Sequence, residues 1–141
     1  MKIQDVMTSN VASANPHDTV EKTAKAMSQS NIGALPVCEG GNVVGIVTDR
    51  DITMRCVAQG KDARQACVQD IMTTHPVTAN PTMDVHEAAK LMSQNKIRRL
   101  PVVDKNALVG MVALGDLAEQ PELADNAGVA LHRISSPSQP Q

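Results

Sequence analysis

Leu35-Pro36-Val37-Cys38-Glu39-Gly40-Gly41-Asn42-Val43-Val44-Gly45-Ile46-Val47-Thr48-Asp49-Arg50-Asp51 returns 65 residues later as Leu100-Pro101-Val102-Val103-Asp104-Lys105-Asn106-Ala107-Leu108-Val109-Gly110-Met111-Val112-Ala113-Leu114-Gly115-Asp116. Each copy has a short apolar run, a turn-prone tetrad and a second apolar run, which is the pattern of a buried β-hairpin. The same shift superposes Ile3 to Ile52 on Val68 to Leu117 without a gap, and about 21 of about 50 positions are identical. The matches include Gln4-Asp5 with Gln69-Asp70, Ala14-Asn15-Pro16 with Ala79-Asn80-Pro81 and Met27-Ser28-Gln29 with Met92-Ser93-Gln94. Chance gives only a few identities, so the chain is a duplicated unit.

Outward from the hairpin, each unit reads as short extended piece, helix, strand, turn, strand, helix. Asn15-Pro16 and Asn80-Pro81 are turn dipeptides, and Asp18-x-x-Glu21 and Asp84-x-x-Glu87 have the spacing of capping boxes that open a helix. Val20, Ala24 and Met27, and then Val85, Ala89 and Met92, recur at helical spacing and mark the core faces. Second helices are expected from about Arg50 to Ala58 and from about Gly115 to Gln120. Asp62 to Met72 reads as a linker helix with Ala66, Cys67 and Ile71 on its apolar side. Beyond Pro121, Ala127, Leu131 and Ile134 imply one or two weak helical turns, and Ser135 to Gln141 is expected to be disordered. The expected division is 1–60 for the first unit, 61–72 for the linker and lead-in, 68–120 for the second unit and 121–141 for a tail.

The chain has 141 residues, a usual size for one domain or one pair of intimate half-domains. No apolar run approaches the roughly 20 residues of a membrane span. The net charge of −2 gives no chain-wide field for nucleic acid or anionic lipid, and the absence of Phe, Trp and Tyr removes the platforms on which single-strand binders stack bases. Three cysteines and no apolar leader point to a reducing, cytoplasmic compartment. Neither membrane nor nucleic acid is expected as a partner.

The unit that opens Asp-Val-Met-Thr, passes through Ile-x-x-Leu-Pro-Val and ends Gly-Ile-Val-Thr-Asp-Arg-Asp-Ile resembles the cystathionine-beta-synthase (CBS) domain, and two such units resemble a Bateman module of the free-standing bacterial type. The resemblance covers about residues 2 to 120. It implies an α+β fold of two β-α-β-β-α units related by pseudo-twofold symmetry, with their sheets packed together and helices outside. It also implies a cleft between the units for an adenine-containing ligand such as AMP, ADP, ATP, NAD or S-adenosylmethionine, and a role in regulation of a protein effector in trans with no catalysis. Modules of this family pair through their second helices, which implies a homodimer with Ile52, Val57 and Leu117 at the contact.

The family's nucleotide signature falls on Gly45 to Asp51, where Thr48 would give a hydroxyl, Asp51 the ribose contact and Arg50 a phosphate contact. Thr48-x-x-Asp51 is equally the spacing of a capping box, needed only to start a helix. The second copy keeps Asp116 but has Ala113 for the threonine and Leu114-Gly115 for Asp49-Arg50. Arg98 and Arg99 stand where the first copy has Gly33 and Ala34; the resemblance places a basic residue here on ligand phosphate, and strand alternation sends one guanidinium to each face. It also carries the base pocket onto Ser13, Ala14, Thr78 and Ala79, and onto Ala34 and Leu35 beside the first Leu-Pro-Val.

His17, His75, His86 and His132 lie too far apart for a close ligand pair, so no metal is expected. Cys38 and Cys56 read as core hydrophobes, which leaves Cys67 as the thiol for any redox chemistry. The leading reading is a regulatory module that binds an adenine nucleotide. The alternatives are an interaction protein with empty clefts and a thiol- or metal-responsive stress protein.

Overall fold

The computed structural model describes residues 1–136 and mixes helix with antiparallel strand, the α+β class expected. In chain order it has α1 (Val20–Ser30), β1 (Ala34–Glu39), β2 (Asn42–Thr48), α2 (Asp49–Asp51) running into a π-helix (Ile52–Val57), β3 (Thr73–Thr74), α3 (Val85–Asn95), β4 (Arg99–Asp104), β5 (Ala107–Ala113), α4 (Leu114–Ala118) and α5 (Ala124–Ser135). Short 3-10 turns lie at Ile3–Asp5, Val68–Asp70 and Pro121–Leu123. Residues 137–141, part of the expected tail, lie outside the described residues.

Two compact units result, cut differently from the sequence repeats. The first is Ala12–Pro76 with Asn106–Leu108; the second joins Met1–Val11 to Val77–Lys105 and the chain from Val109 onward. Each unit is therefore completed by the leading segment of the other repeat. Thr73 and Thr74 pair with Ile46 and Gly45 of β2, and Thr8 bridges to Met111 of β5. These crossings need glycine. A Cβ on Gly45 would stand 2.8 Å from the Thr73 carbonyl oxygen and 2.7 Å from Met72 Sδ; on Gly110 it would stand 2.9 Å from the Thr8 oxygen and 2.6 Å from Met7 Sδ.

In the first unit β1 and β2 form the expected hairpin, with Ala34 opposite Thr48 and Val37 opposite Gly45. The two-residue turn places Gly40 and Gly41 at φ +60° and +84°, and Lys105 and Asn106 repeat it at +50° and +68°. Positive φ at both central residues matches the twist of an antiparallel pair. Pro36 sits inside β1 without an N–H to give, yet its carbonyl accepts from Ala14 N, and Cys38 N returns a bond to the Ala14 oxygen. Ala14, Val20, Met27, Leu35, Val37, Val47, Cys56, Val68 and Ile71 close this core. The second core repeats it with Ile3, Ala79, Val85, Met92, Leu100, Val102 and Val112, and adds Leu117, Leu123, Ala127 and Ala130.

Four expectations are corrected. The cap of α1 is Thr19, whose hydroxyl accepts from Lys22 N at 3.1 Å, while Asp18 accepts from Asn15 N and pairs with Lys22. Asp62 to Met72 is not a helix. Its backbone is spent on the neighbouring loop: Val20 N and Glu21 N donate to Ala66 and Ala63, Val68 N and Gln69 N donate to Asp18 and Pro16, and the Asp62 carboxylate folds back on Arg64. The weak turns after Pro121 are a twelve-residue helix that includes Ser135 and packs on α3 and α4. Leu117 is wholly buried in the core that α5 completes, so it is no free dimer face.

At the start of α3 the Asp84 carboxylate accepts from His86 N at 2.8 Å and lies 2.9 Å from His86 Nδ1. The backbone bond first, and the imidazole second, hold the Asp84 carboxyl below its ordinary value of 3.8. A lowered folded-state pKa contributes stability in full above 3.8 that is lost as pH falls through the folded value. Asp84→Asn should flatten the acid limb of a stability-against-pH curve there, measured by urea unfolding across that range. Gly45→Ala and Gly110→Ala should each destabilise by about 1–3 kcal/mol, because the new methyl meets a backbone carbonyl as well as a methionine sulfur, and the carbonyl cannot swing aside as the side chain can. Denaturant titration of each variant checks this.

Candidate functional site

At the junction of β2 and α2, Thr48 is extended and caps the helix. Its hydroxyl accepts from Asp51 N at 3.0 Å, and Asp51 Oδ2 accepts from Thr48 N at 3.0 Å. The reciprocal box is complete. Asp51 is only 9% exposed, and its Oδ1 faces Arg55 Nε at 3.8 Å. Arg55 Nη1 then donates to the carbonyls of Ile71 and Met72, both at 3.3 Å, so one arginine ties the carboxylate to the segment that crosses β2. Sequence reasoning missed Arg55, although its place four residues after Asp51 is a readable ion-pair spacing.

Of the other expected residues of this unit, Ala34 and Arg50 lie at this junction, whereas Ala14 bridges to Val37 farther along β1. Ala34 lies opposite Thr48, and Gly33 accepts from Asp49 N at 2.9 Å. Buried Ala14 sits along β1 and buried Leu35 fills the core. Ser13 is exposed and Cys38 is half-buried. Burial pushes the Cys38 pKa up and the Ser13 hydroxyl pulls the other way. Arg50 is exposed, and its backbone N–H donates to the Asp49 carboxylate.

The second unit builds the same junction with different chemistry. Asp116 Oδ2 accepts from Ala113 N at 2.8 Å, and with no hydroxyl at Ala113 the box is half made. Leu114 N donates to the Arg98 carbonyl at 2.8 Å, which sets the strand against the helix as Gly33 and Asp49 do in the first unit. Arg98 and Arg99 are both exposed and line one cavity of about 450 Å³ together with Ala113, Leu114 and Gly115. Arg98 lies just before the strand begins and Arg99 is its first residue. Thr78, Ala79 and Asp116 do not line that cavity; Ala79 is buried along β4. α5 contributes Ala127, Gly128 and Leu131 to the wall, a contribution the repeat could not announce because the first copy has no such helix.

The family model of the CBS domain matches residues 3–57 and again 68–122. The chain belongs to the CBS-domain family. This CBS pair is 48% identical over 133 residues to the CBS domain-containing protein YhcV of Bacillus subtilis, covering 94% of each chain. Two solved CBS structures carry adenosyl compounds. CBSX2 in complex with AMP is 25% identical with a TM-score of 0.73, over 84% of this chain and 93% of its own. The CBS pair of protein MJ0100, in complex with 5′-methylthioadenosine and S-adenosyl-L-methionine, is 30% identical with a TM-score of 0.77, over 84% and 94%. No helix among the described residues is long and apolar enough to cross a membrane, and among them no group of three or more His, Cys, Asp or Glu is placed to hold a metal ion.

The two junctions allow a direct comparison of caps. Thr48→Ala should cost about 0.5–2 kcal/mol, and Ala113→Thr, which supplies the missing hydroxyl, should stabilise within the same range. Urea unfolding of both variants measures the pair.

Proposed function

We propose that this CBS pair is a regulatory module, not an enzyme, that binds an adenine nucleotide and passes the binding state to a protein effector in trans. The observation that carries the reading is the AMP complex of the CBSX2 relative, taken with the adenosyl ligands of the MJ0100 pair. In the first unit we assign the ribose hydroxyls to Asp51, whose two oxygens keep acceptor sites beyond the bonds to Thr48 and Arg55, and a phosphate to Arg50. Thr48 donates from its hydroxyl, and Ser13, Ala14 and Ala34, with the backbone at Leu35, line the base in a chain that has no aromatic ring. In the second unit Asp116, Thr78 and Ala79 take the corresponding places, and Arg98 and Arg99 take phosphate. The module works as a homodimer in this reading, and its contact uses exposed Met54 and Val57, because Leu117 is buried.

The chain has no Trp or Tyr, so protein purified free of nucleic acid absorbs little at 280 nm and a band at 260 nm reports bound base. A nucleotide at about 100 times its dissociation constant stabilises the fold by roughly 2.7 kcal/mol, which circular dichroism melting resolves. AMP, ADP, ATP, NAD and S-adenosylmethionine are each added at millimolar concentration. At least one should raise the melting temperature, and Asp51→Ala should remove part of the rise. Five unmoved melting curves would refute the nucleotide reading.

A further inference from the structure

On the side of α5 away from Arg98 and Arg99, α3 and α5 enclose a groove of about 590 Å³ that lies wholly within the second unit. Its floor is alanine, since Ala89 of α3 and Ala130 of α5 are 3% and 1% exposed. Small side chains at the floor give the groove its depth. His86, Lys90 and Gln94 follow one another at four-residue spacing along one wall, and Asp125, Val129 and Arg133 do the same along the other. Eight residues of helix rise about 12 Å, so each wall is about two turns long. Val129 is 66% exposed, more than any other large hydrophobic side chain among the described residues.

The two repeats differ in how they treat the charge on this helix face. On α1 each lysine has a carboxylate one turn earlier: Lys22 pairs with Asp18 at 3.3 Å and Lys25 with Glu21 at 3.2 Å. The shift of 65 residues carries Lys25 onto Lys90 and Glu21 onto His86. Lys90 therefore stands without the carboxylate that neutralises its counterpart. α5 brings Arg133 to the same groove, and among the described residues neither Lys90 nor Arg133 has an acidic side chain within ion-pair distance. The acid in the lining is Asp125, while Asp84, which holds His86 Nδ1, lies outside it. What the duplicated helix keeps neutral in one unit, it leaves cationic in the other.

We infer that the α3–α5 groove is the surface on which an acidic segment of the protein effector docks, with carboxylates on Lys90 and Arg133 and an apolar side chain against Val129. This rests on the reading of an effector in trans and adds the chemistry of its contact; it does not depend on which nucleotide binds. Charge complementarity decides the occupant, because two cations without partners fix where carboxylates sit and the exposed valine beside them takes an apolar neighbour. A narrow groove in a chain of net charge −2 suits one acidic segment better than an extended anionic surface, which would also meet the protein's own acids.

The full chain is titrated, by fluorescence anisotropy at low ionic strength, into a fluorescein-labelled peptide of four Glu-Glu-Leu repeats and into its Gln-Gln-Leu counterpart. The acidic peptide should bind at least about tenfold more tightly than the glutamine peptide, and added salt should weaken the acidic one. Lys90→Gln with Arg133→Gln should weaken it at least about tenfold. Lys22→Gln with Lys25→Gln removes the same two charges from α1 and should leave its binding unchanged. Val129→Ser should weaken both peptides. All these positions are exposed, and circular dichroism melting checks that each variant is folded. Equal weakening by the two double variants would reduce the effect to net charge and overturn the groove. Binding that ignores Lys90→Gln with Arg133→Gln would overturn the groove and leave an effector contact elsewhere on the molecule. No binding of the acidic peptide at millimolar concentration would overturn the acidic chemistry. Phosphatidylserine vesicles that sediment the natural chain but not the Lys90, Arg133 variant would make the groove a membrane contact and overturn the docking of a protein segment. Nucleotide binding, read by the melting curves, is independent of all four outcomes.

Discussion

Both units rest on a place where one stretch of backbone lies flat on another. At Gly45 and Gly110 the hydrogen in place of a side chain lets the Thr73 and Thr8 carbonyls approach a strand more closely than any Cβ would permit. The close approach lets Thr74 pair with Gly45 and Thr8 with Met111, and it brings Ile71 and Ile3 into the two cores within a few residues of the crossing. Arg55 reinforces the first crossing by donating to Ile71 and Met72, and through Asp51 it joins that crossing to the cap of the following helix. Packing and cap share one set of residues in the first unit.

Local pattern made the hairpins and the first helix of each unit legible. The apolar runs, the turn tetrads and the recurrence of Val20 and Met27 as Val85 and Met92 all reappear as drawn. The exchange of leading segments was not legible, because Met7-Thr8 and Met72-Thr73 carry the same local information and either could serve either hairpin. The linker reads as a helix by its apolar spacing and loses to tertiary hydrogen bonds with the Pro16–Glu21 segment that leads into α1, which compete for the same backbone groups. Residues around the site followed the same division. Thr48 with Asp51, a contact between neighbours in sequence, was visible; the cavity that Arg98 and Leu131 both line was not, since 33 positions separate them and nothing in the first repeat corresponds to α5.

Duplication left two scaffolds alike and two chemistries unlike. One junction has a full cap, a nearly buried carboxylate and an arginine on the helix; the other has half a cap, arginines at the head of the strand and a third helix closing the side. A copied backbone preserves hydrogen bonds such as Asp49 to Gly33 and Leu114 to Arg98, which are indifferent to the side chains they carry. The side chains at those same positions were then free to diverge.

The exchanged leading segment also sets a timetable. Synthesis runs from the amino end, so Met1–Val11 leaves the ribosome about 100 residues before Met111, the strand residue on which Thr8 is hydrogen-bonded. At about 5–20 residues per second the interval is roughly 5 to 20 s. For the first two thirds or so of it Ile3, fully buried in the finished protein, has none of its core neighbours Ala79, Val85 and Met92 to sit against. Most of the other unit, Ala12–Pro76, is already available in that time. Met1–Val11 must therefore wait for the strand it pairs with, while most of the other unit has already been made.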